Sequence, residues 1–200
     1  MKKLALVGGD ERTRSDAPFY DNEFDVWGFT IGPKQPWFMR CDAVIEVHRS
    51  ALYLTHPDDP GYWEWLNSTD VDVWMFDMRD DIKNRKTYPL IEVDKWLMSN
   101  ITIDGKTFHN FGSSADYGMA LAILHGYQHI EVYGIEMQSK AEYLEQQTSW
   151  AFWVGYAAGR GITIDLKSGG HMFERTMYGR HLFGEDTLAF LKITEIEDES

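Results

Sequence analysis

The chain carries a single cysteine, Cys41, in 200 residues. One thiol excludes an internal disulfide framework and suits a reducing cytoplasm. Long hydrophobic runs are missing as well. Between Met1-Lys2-Lys3 and Gly8-Gly9 stand only Leu4, Ala5, Leu6 and Val7, too few for a secretory signal, and no stretch approaches the roughly 20 apolar residues that span a bilayer. Positive charge is scarce: 19 Lys and Arg face 32 Asp and Glu, a formal net charge of -13. Binding a phosphate backbone depends on clustered cations that displace counterions. A grip on nucleic acid is therefore disfavoured, and a small or enclosed ligand is expected. Internal repeats and low-complexity segments are absent too.

Aromatic residues are plentiful. They make up 14% of the chain, within an apolar fraction of 44%, and include eight tryptophans. That is ample for the core of one α/β domain, expected over residues 1–194, with a frayed acidic tail at 195–200. Exposed tryptophans forming a homo-oligomer interface are a further outcome this composition allows.

Residues 111–137, FGSSADYGMALAILHGYQHIEVYGIEM, organise the rest. Ser113 or Ser114 can cap a helix, with Asp116 three residues after Ser113 as a short capping box, and the apolar run from Tyr117 to Leu124 fills almost every helix face. Such a helix is buried. Gly126 stands where a left-handed residue ends it, and Ile130 to Tyr133 reads as a strand leading into Gly134, Ile135 and Glu136. In a parallel sheet, the loop before a helix and the loop after the next strand open on the same edge, where ligands bind. Gly112, Ser113 and Ser114 would offer backbone N–H groups and hydroxyls as an anion site, with Glu136 beside them. A plain N-cap beside a solvated acid predicts the same letters.

Leu4 to Val7 reads as a buried first strand ending in the turn Gly8, Gly9, Asp10, Glu11, Arg12, Thr13, Arg14. This turn lacks the third glycine of the dinucleotide fingerprint and the lysine of a P-loop. Phe24 to Thr30 and Ala43 to Val47 follow as strands, the latter bringing Glu46 and His48 to its end. His56, Asp58 and Asp59 invite a metal reading, but adjacent acids before a proline fit a solvated turn better, so no metal is expected. Val71 to Phe76 is a fourth strand and Asp77 to Lys86 a surface loop. Leu90 to Leu97 is expected to form an amphipathic helix on the sheet, Ser139 to Arg160 a long helix, and Ile162 to Leu166 a last strand before Ser168 and His171.

The central segment resembles the bacterial sialyltransferase family that uses CMP-activated sugar. It is also similar to the related pterin-diphosphokinase-like family, and to uncharacterised phage proteins with a Gly-Ser-Ser start and a Gly-Ile-Asp-Met end. The matching residues are Gly112, Ser113, Ser114, Gly126, Tyr127, Ile130, Tyr133, Gly134, Ile135, Glu136 and Met137. The resemblance implies a Rossmann-like three-layer α/β sandwich of sialyltransferase type with a mainly parallel sheet. It implies a nucleotide pocket from Gly8, Gly9, Asp10, Thr30, Ser113, Ser114 and Glu136, with Thr13 or Arg14 available for phosphate. Nucleotide or nucleotide sugar would be substrate, with no tightly bound cofactor, in the cytoplasm of a host cell if the chain is phage-encoded.

The resemblance breaks at catalysis. The family's general base is a histidine between the Gly-Ile-Asp strand and the last helix, and this chain has none between residues 130 and 170. Glu142 or His48 stands as acid–base candidate instead, with Tyr143 steadying a leaving phosphate and Gln146 or Gln147 binding a sugar. The expected activity is glycosyl or phosphoryl transfer from a nucleotide. The rival reading is a non-catalytic protein that binds a nucleotide, a signalling molecule or a host protein.

Overall fold

Short β-branched and aromatic runs supply most of the central sheet. In the computed structural model, β1 (Lys3–Val7), β2 (Phe24–Phe29), β3 (Ala43–Glu46) and β4 (Asp72–Met75) are joined by β5 (Arg85–Thr87), β8 (His129–Tyr133) and β9 (Thr163–Leu166). The structure describes residues 1–49, 53–56, 58–77, 79–98, 102–137 and 141–168, all within one compact unit, Met1–Gly170. The expected domain end at 194, the acidic tail and His171 lie outside the described residues. The strand order is β5-β4-β3-β2-β1-β8-β9, and every neighbouring pair is parallel. The chain steps outward from β1 to β5, then crosses back to β8 on the other side of β1. That reversal puts the topological switch point between β1 and β8, above their carboxyl ends.

Among the described residues, α-helices follow in chain order as α1 (Tyr62–Ser68), α2 (Leu90–Val93), α3 (Ser114–Leu124) and α4 (Ala141–Gly159). Helix α3 is buried on nearly all sides, from Ala115 to Ile123, as its unbroken apolar run requires. A Cβ on Gly118 would meet the Phe29 ring at 2.8 Å and Leu6 at 3.6 Å, so α3 lies on the sheet face to which Leu6 points. Register places Ala5, Val26, Val44 and Val73 on the opposite face. There Tyr62 and Leu66 of α1 cluster with Val73 and Met75. Helices thus cover both faces, and the expected α/β three-layer architecture stands.

Two local expectations need correction, and one element goes beyond them. The charged stretch from Asp77 to Lys86 runs into an edge strand, β5, paired through Val73 to Arg85 and Met75 to Thr87. Its exposed Lys86 and Thr87 carry no hydrophobic alternation, as befits a protected sheet edge. The expected amphipathic helix over Leu90 to Leu97 is only four residues long and passes into a π-helical turn, Asp94–Met98. Val93 and Leu97 are buried, but Ile91 is 79% and Trp96 67% exposed, because their angular positions do not coincide with that stripe. A small antiparallel hairpin, β6 (Thr102–Ile103) with β7 (Lys106–Thr107), turns through Asp104 and Gly105. Their φ values of 50° and 76° are the positive pair that an Asp-Gly hairpin turn needs.

Candidate functional site

The turns after β1 and β8 lock together above the sheet. Gly8 N–H donates to Tyr133 O at 2.8 Å and Asp10 N–H to Gly134 O at 3.0 Å. A Cβ on Gly8 would lie 2.4 Å from Gly134 O, so this position tolerates no side chain. The Thr13 hydroxyl accepts the Gly134 N–H at 2.8 Å, while Arg14 donates to Gly9 O at 2.7 Å and to Glu11 at 3.0 Å. The Arg14 guanidinium also sits 4.4 Å from the Trp37 ring centroid. Thr13 and Arg14 thus brace the turn.

Beside this turn opens a cleft of about 430 Å³ bounded by Gly9, Asp10, Arg14, Glu136 and Met137. Arg12 spans it. Its guanidinium holds Asp10 through bonds of 3.0 and 3.1 Å and approaches Glu136 at 3.4 Å. Hydrogen bonding from Arg12 keeps the Asp10 carboxyl below its ordinary pKa. Two acids expected to meet a nucleotide thus share one arginine.

A larger cleft, about 540 Å³, lies over the ends of β2 and β3, bounded by Thr30, His48, His56, Ser113, Ser114 and Gln146. The single expected pocket is therefore split. Thr30, Ser113, Ser114 and His48 line one part, Gly9, Asp10, Arg14 and Glu136 the other, and Met137 borders both. Gly8 and Thr13 border neither. Thr30 and Met137 have φ of 48° and 52°, and a β-branched residue there is an outlier that packing must hold in place. Gln147 supplies part of that restraint by donating to Met137 O at 2.8 Å, so it serves the backbone, while Gln146 borders the cleft.

The helix N-terminus differs from expectation. Gly112 N–H and Ser113 N–H do not stand open to an anion: both donate to the Asp116 carboxylate, at 2.7 and 2.8 Å. The Asp116 N–H donates in return to Ser113 Oγ at 3.4 Å, closing a capping box. Ser149 of α4 adds a third donor to the carboxylate at 2.8 Å. The helix's own acid therefore occupies the place proposed for a ligand phosphate. Gly112, Ser113, Ser114 and Ala115 border the cleft all the same.

Burial outweighs those donors and pushes the Asp116 carboxyl up to about 6. Its other oxygen is buried without a hydrogen-bond partner among the described residues. A folded-state value raised above the ordinary 3.8 favours the protonated form in the native state. Its contribution is full below about pH 4 and lost as pH rises through about 6, on the order of 2–3 kcal/mol in all. Urea unfolding of the wild type between pH 4 and 7 is expected to show this fall, and Asp116→Asn to flatten it. Parallel curves for the two proteins would refute the assignment.

At the end of β3, Glu46 is fully buried. Its Oε1 accepts the His48 backbone N–H at 3.1 Å and lies 2.8 Å from His48 Nδ1, while its Oε2 accepts the Tyr62 hydroxyl at 2.7 Å. Glu142 and Tyr143 fall in the first turn of α4, four and three residues ahead of Gln146. Their side chains lie outside the described residues. His56 borders the cleft, and its Nδ1 accepts the Asp58 N–H at 3.2 Å. Asp59 is no solvated turn acid: it is buried against Lys34, at 2.6 and 2.8 Å. No trio of metal-ligating side chains occurs among the described residues. Cys41 is unsuited as a nucleophile, since burial pushes its thiol up to about 12.

No family model matches this chain, and no curated protein sequence matches it. Solved structures do. A single-residue variant of the sialyltransferase CST-II in complex with CMP superposes with a TM-score of 0.50 at 11% identity, covering 88% of this chain and 84% of that one. The sialyltransferase CstII from Campylobacter jejuni, in complex with the substrate analogue cytidine-5'-monophosphate, gives 0.49 at 13% identity over 90% and 83%. The likeness is one of fold. It leaves chemistry to the residues themselves. No described helix is long and apolar enough to cross a membrane.

Proposed function

We propose that this protein is a nucleotide-binding transferase that moves a glycosyl or phosphoryl group from a nucleotide donor, a nucleotide sugar above all. One observation carries the reading: the larger cleft opens at the carboxyl ends of parallel strands and unites the Ser113 and Ser114 hydroxyls with a histidine backed by a buried carboxylate. Hydroxyls at a helix start suit a phosphate or ribose, and a histidine suits proton transfer at neutral pH. Phe29 and Tyr117, which also border the cleft, offer aromatic surface to a base or sugar ring. Glu136, tied to Arg12, reaches the nucleotide from the second cleft. The phage origin and cytoplasmic setting included in this reading rest on the motif resemblance and the lone cysteine.

The test is a thermal-shift screen against CMP, UMP, GDP, NAD, cyclic nucleotides and nucleotide sugars. A ligand at 100 times its Kd stabilises the native state by about 2.7 kcal/mol. A shift confined to one base and weakened in Ser114→Ala supports the pocket. No shift with any of them sinks the nucleotide reading. Saturable binding without product would favour the non-catalytic alternative.

A further inference from the structure

Sheet register sends the Glu46 side chain to the α1 face, alongside Val44 and paired with Met75. Helix α1 meets it there with Tyr62, itself fully buried. A carboxylate removed from water is costly unless hydrogen bonds take over its solvation. Here three donors do so, the Tyr62 hydroxyl and the His48 backbone and ring nitrogens. Burial, then the Glu46 charge, raise the Tyr62 phenol well above its ordinary pKa, so it remains a donor across the neutral range. Between a donor phenol and a shared carboxylate, the proton of a neutral His48 belongs on Nδ1. That leaves the Nε2 lone pair as the basic group of the ring. The ring is about one third exposed, with a side-chain accessibility of 34%, and borders the cleft beside Ser113, Ser114 and Gln146.

We propose that Glu46 and Tyr62 are positioning residues that fix His48 as the general base of the transfer, at the end of β3 rather than ahead of α4. The inference rests on the transferase reading and deepens it. In the transfer step, the acceptor hydroxyl gives its proton to His48 Nε2. Its oxygen bonds to the transferred carbon or phosphorus, the bond from that atom to the donor's phosphate oxygen breaks, and the nucleotide leaves with the electron pair. Glu46 stabilises the imidazolium that forms. Among the described residues, the other titratable groups bordering this cleft are His56 and Asp58, on the turn before α1, and Tyr117 of α3.

The experiment is 15N NMR on ligand-free protein labelled at its seven histidines, with His48 assigned by the signal lost in His48→Gln. The Nδ1–H tautomer is expected for His48. Glu46→Gln removes the charge that favours imidazolium and is expected to move the His48 midpoint down by about one pH unit. Tyr62→Phe removes a donor that shares the carboxylate, so the midpoint is expected to rise. This near-isosteric change keeps the test readable if Glu46→Gln folds poorly. An Nε2–H tautomer, or a midpoint unmoved in both variants, overturns the proposal. The titration needs no ligand, so its failure is separable from failure of the nucleotide screen.

Discussion

His48→Gln is expected to cut turnover by about 10²–10⁴-fold, the usual worth of a positioned general base, while nucleotide affinity stays at the wild-type level. Glutamine fills a similar volume and can hydrogen-bond Glu46, which already has the Tyr62 hydroxyl and the residue-48 backbone N–H as donors. It cannot take up a proton at neutral pH. The loss should therefore appear in kcat, with the donor selected by the binding screen, whereas Ser114→Ala should weaken binding first. The rival acid–base candidate is Glu142. If it is the base, His48→Gln is nearly silent and Glu142→Gln carries the loss. A His48 variant that loses rate and affinity together would point to a binding role and end the assignment.

The sequence made most of the sheet legible, since β1 to β4, β8 and β9 announce themselves as short apolar runs closed by glycine or turn residues. The central helix was equally readable, because an apolar run from Tyr117 to Leu124 has no stable home except a core. The edge strand Arg85–Thr87 was not, since its ladder is paid for by one neighbour and its side chains report only solvent. The Asp104-Gly105 pair, in contrast, was an available hairpin signal. Within the site, the helix-start pattern identified Ser113 and Ser114 as edge residues, and the family resemblance Thr30, but not the partners that commit them. The Ser113–Asp116 capping box was legible locally, but nothing there says that Asp116 also takes the Gly112 N–H and the Ser149 hydroxyl, or that Tyr62, sixteen residues after Glu46, returns to bond it. Both depend on how α3, α4 and α1 dock, which is tertiary information.

The docking has a functional corollary. Thr30 and Met137 both hold left-handed backbone at cleft positions, and Met137 belongs to both clefts. Such conformations cost about 1–3 kcal/mol each and persist only where the surroundings over-determine them. The Gln147 amide from α4 bonding Met137 O is one such restraint. The wall between the clefts is thus held by α4, the helix that also carries Gln146.

How firmly α4 holds the site is measurable through its two fully buried tryptophans, Trp150 and Trp153. Trp153 Nε1 donates to Asn110 O at 2.7 Å, and its ring leans on Phe111 at 4.9 Å, centroid to centroid. Phe111 in turn stacks on Tyr117 at 4.3 Å, so α4 grips the loop that leads into Ser113. Trp150 Nε1 is buried with no hydrogen-bond partner among the described residues. Truncation of either ring to alanine should cost about 3–5 kcal/mol, lowering Tm by on the order of 10 °C in a chain of this size. Phenylalanine separates them. Trp153→Phe loses a real hydrogen bond and is expected to cost about 1–3 kcal/mol more than the packing change alone. Trp150→Phe removes a donor that satisfies nothing, so relief of that burial should offset most of the lost ring volume. Calorimetric melting of the two phenylalanine variants checks this, and equal losses would show that ring volume alone, not the Asn110 bond, ties α4 to the cleft.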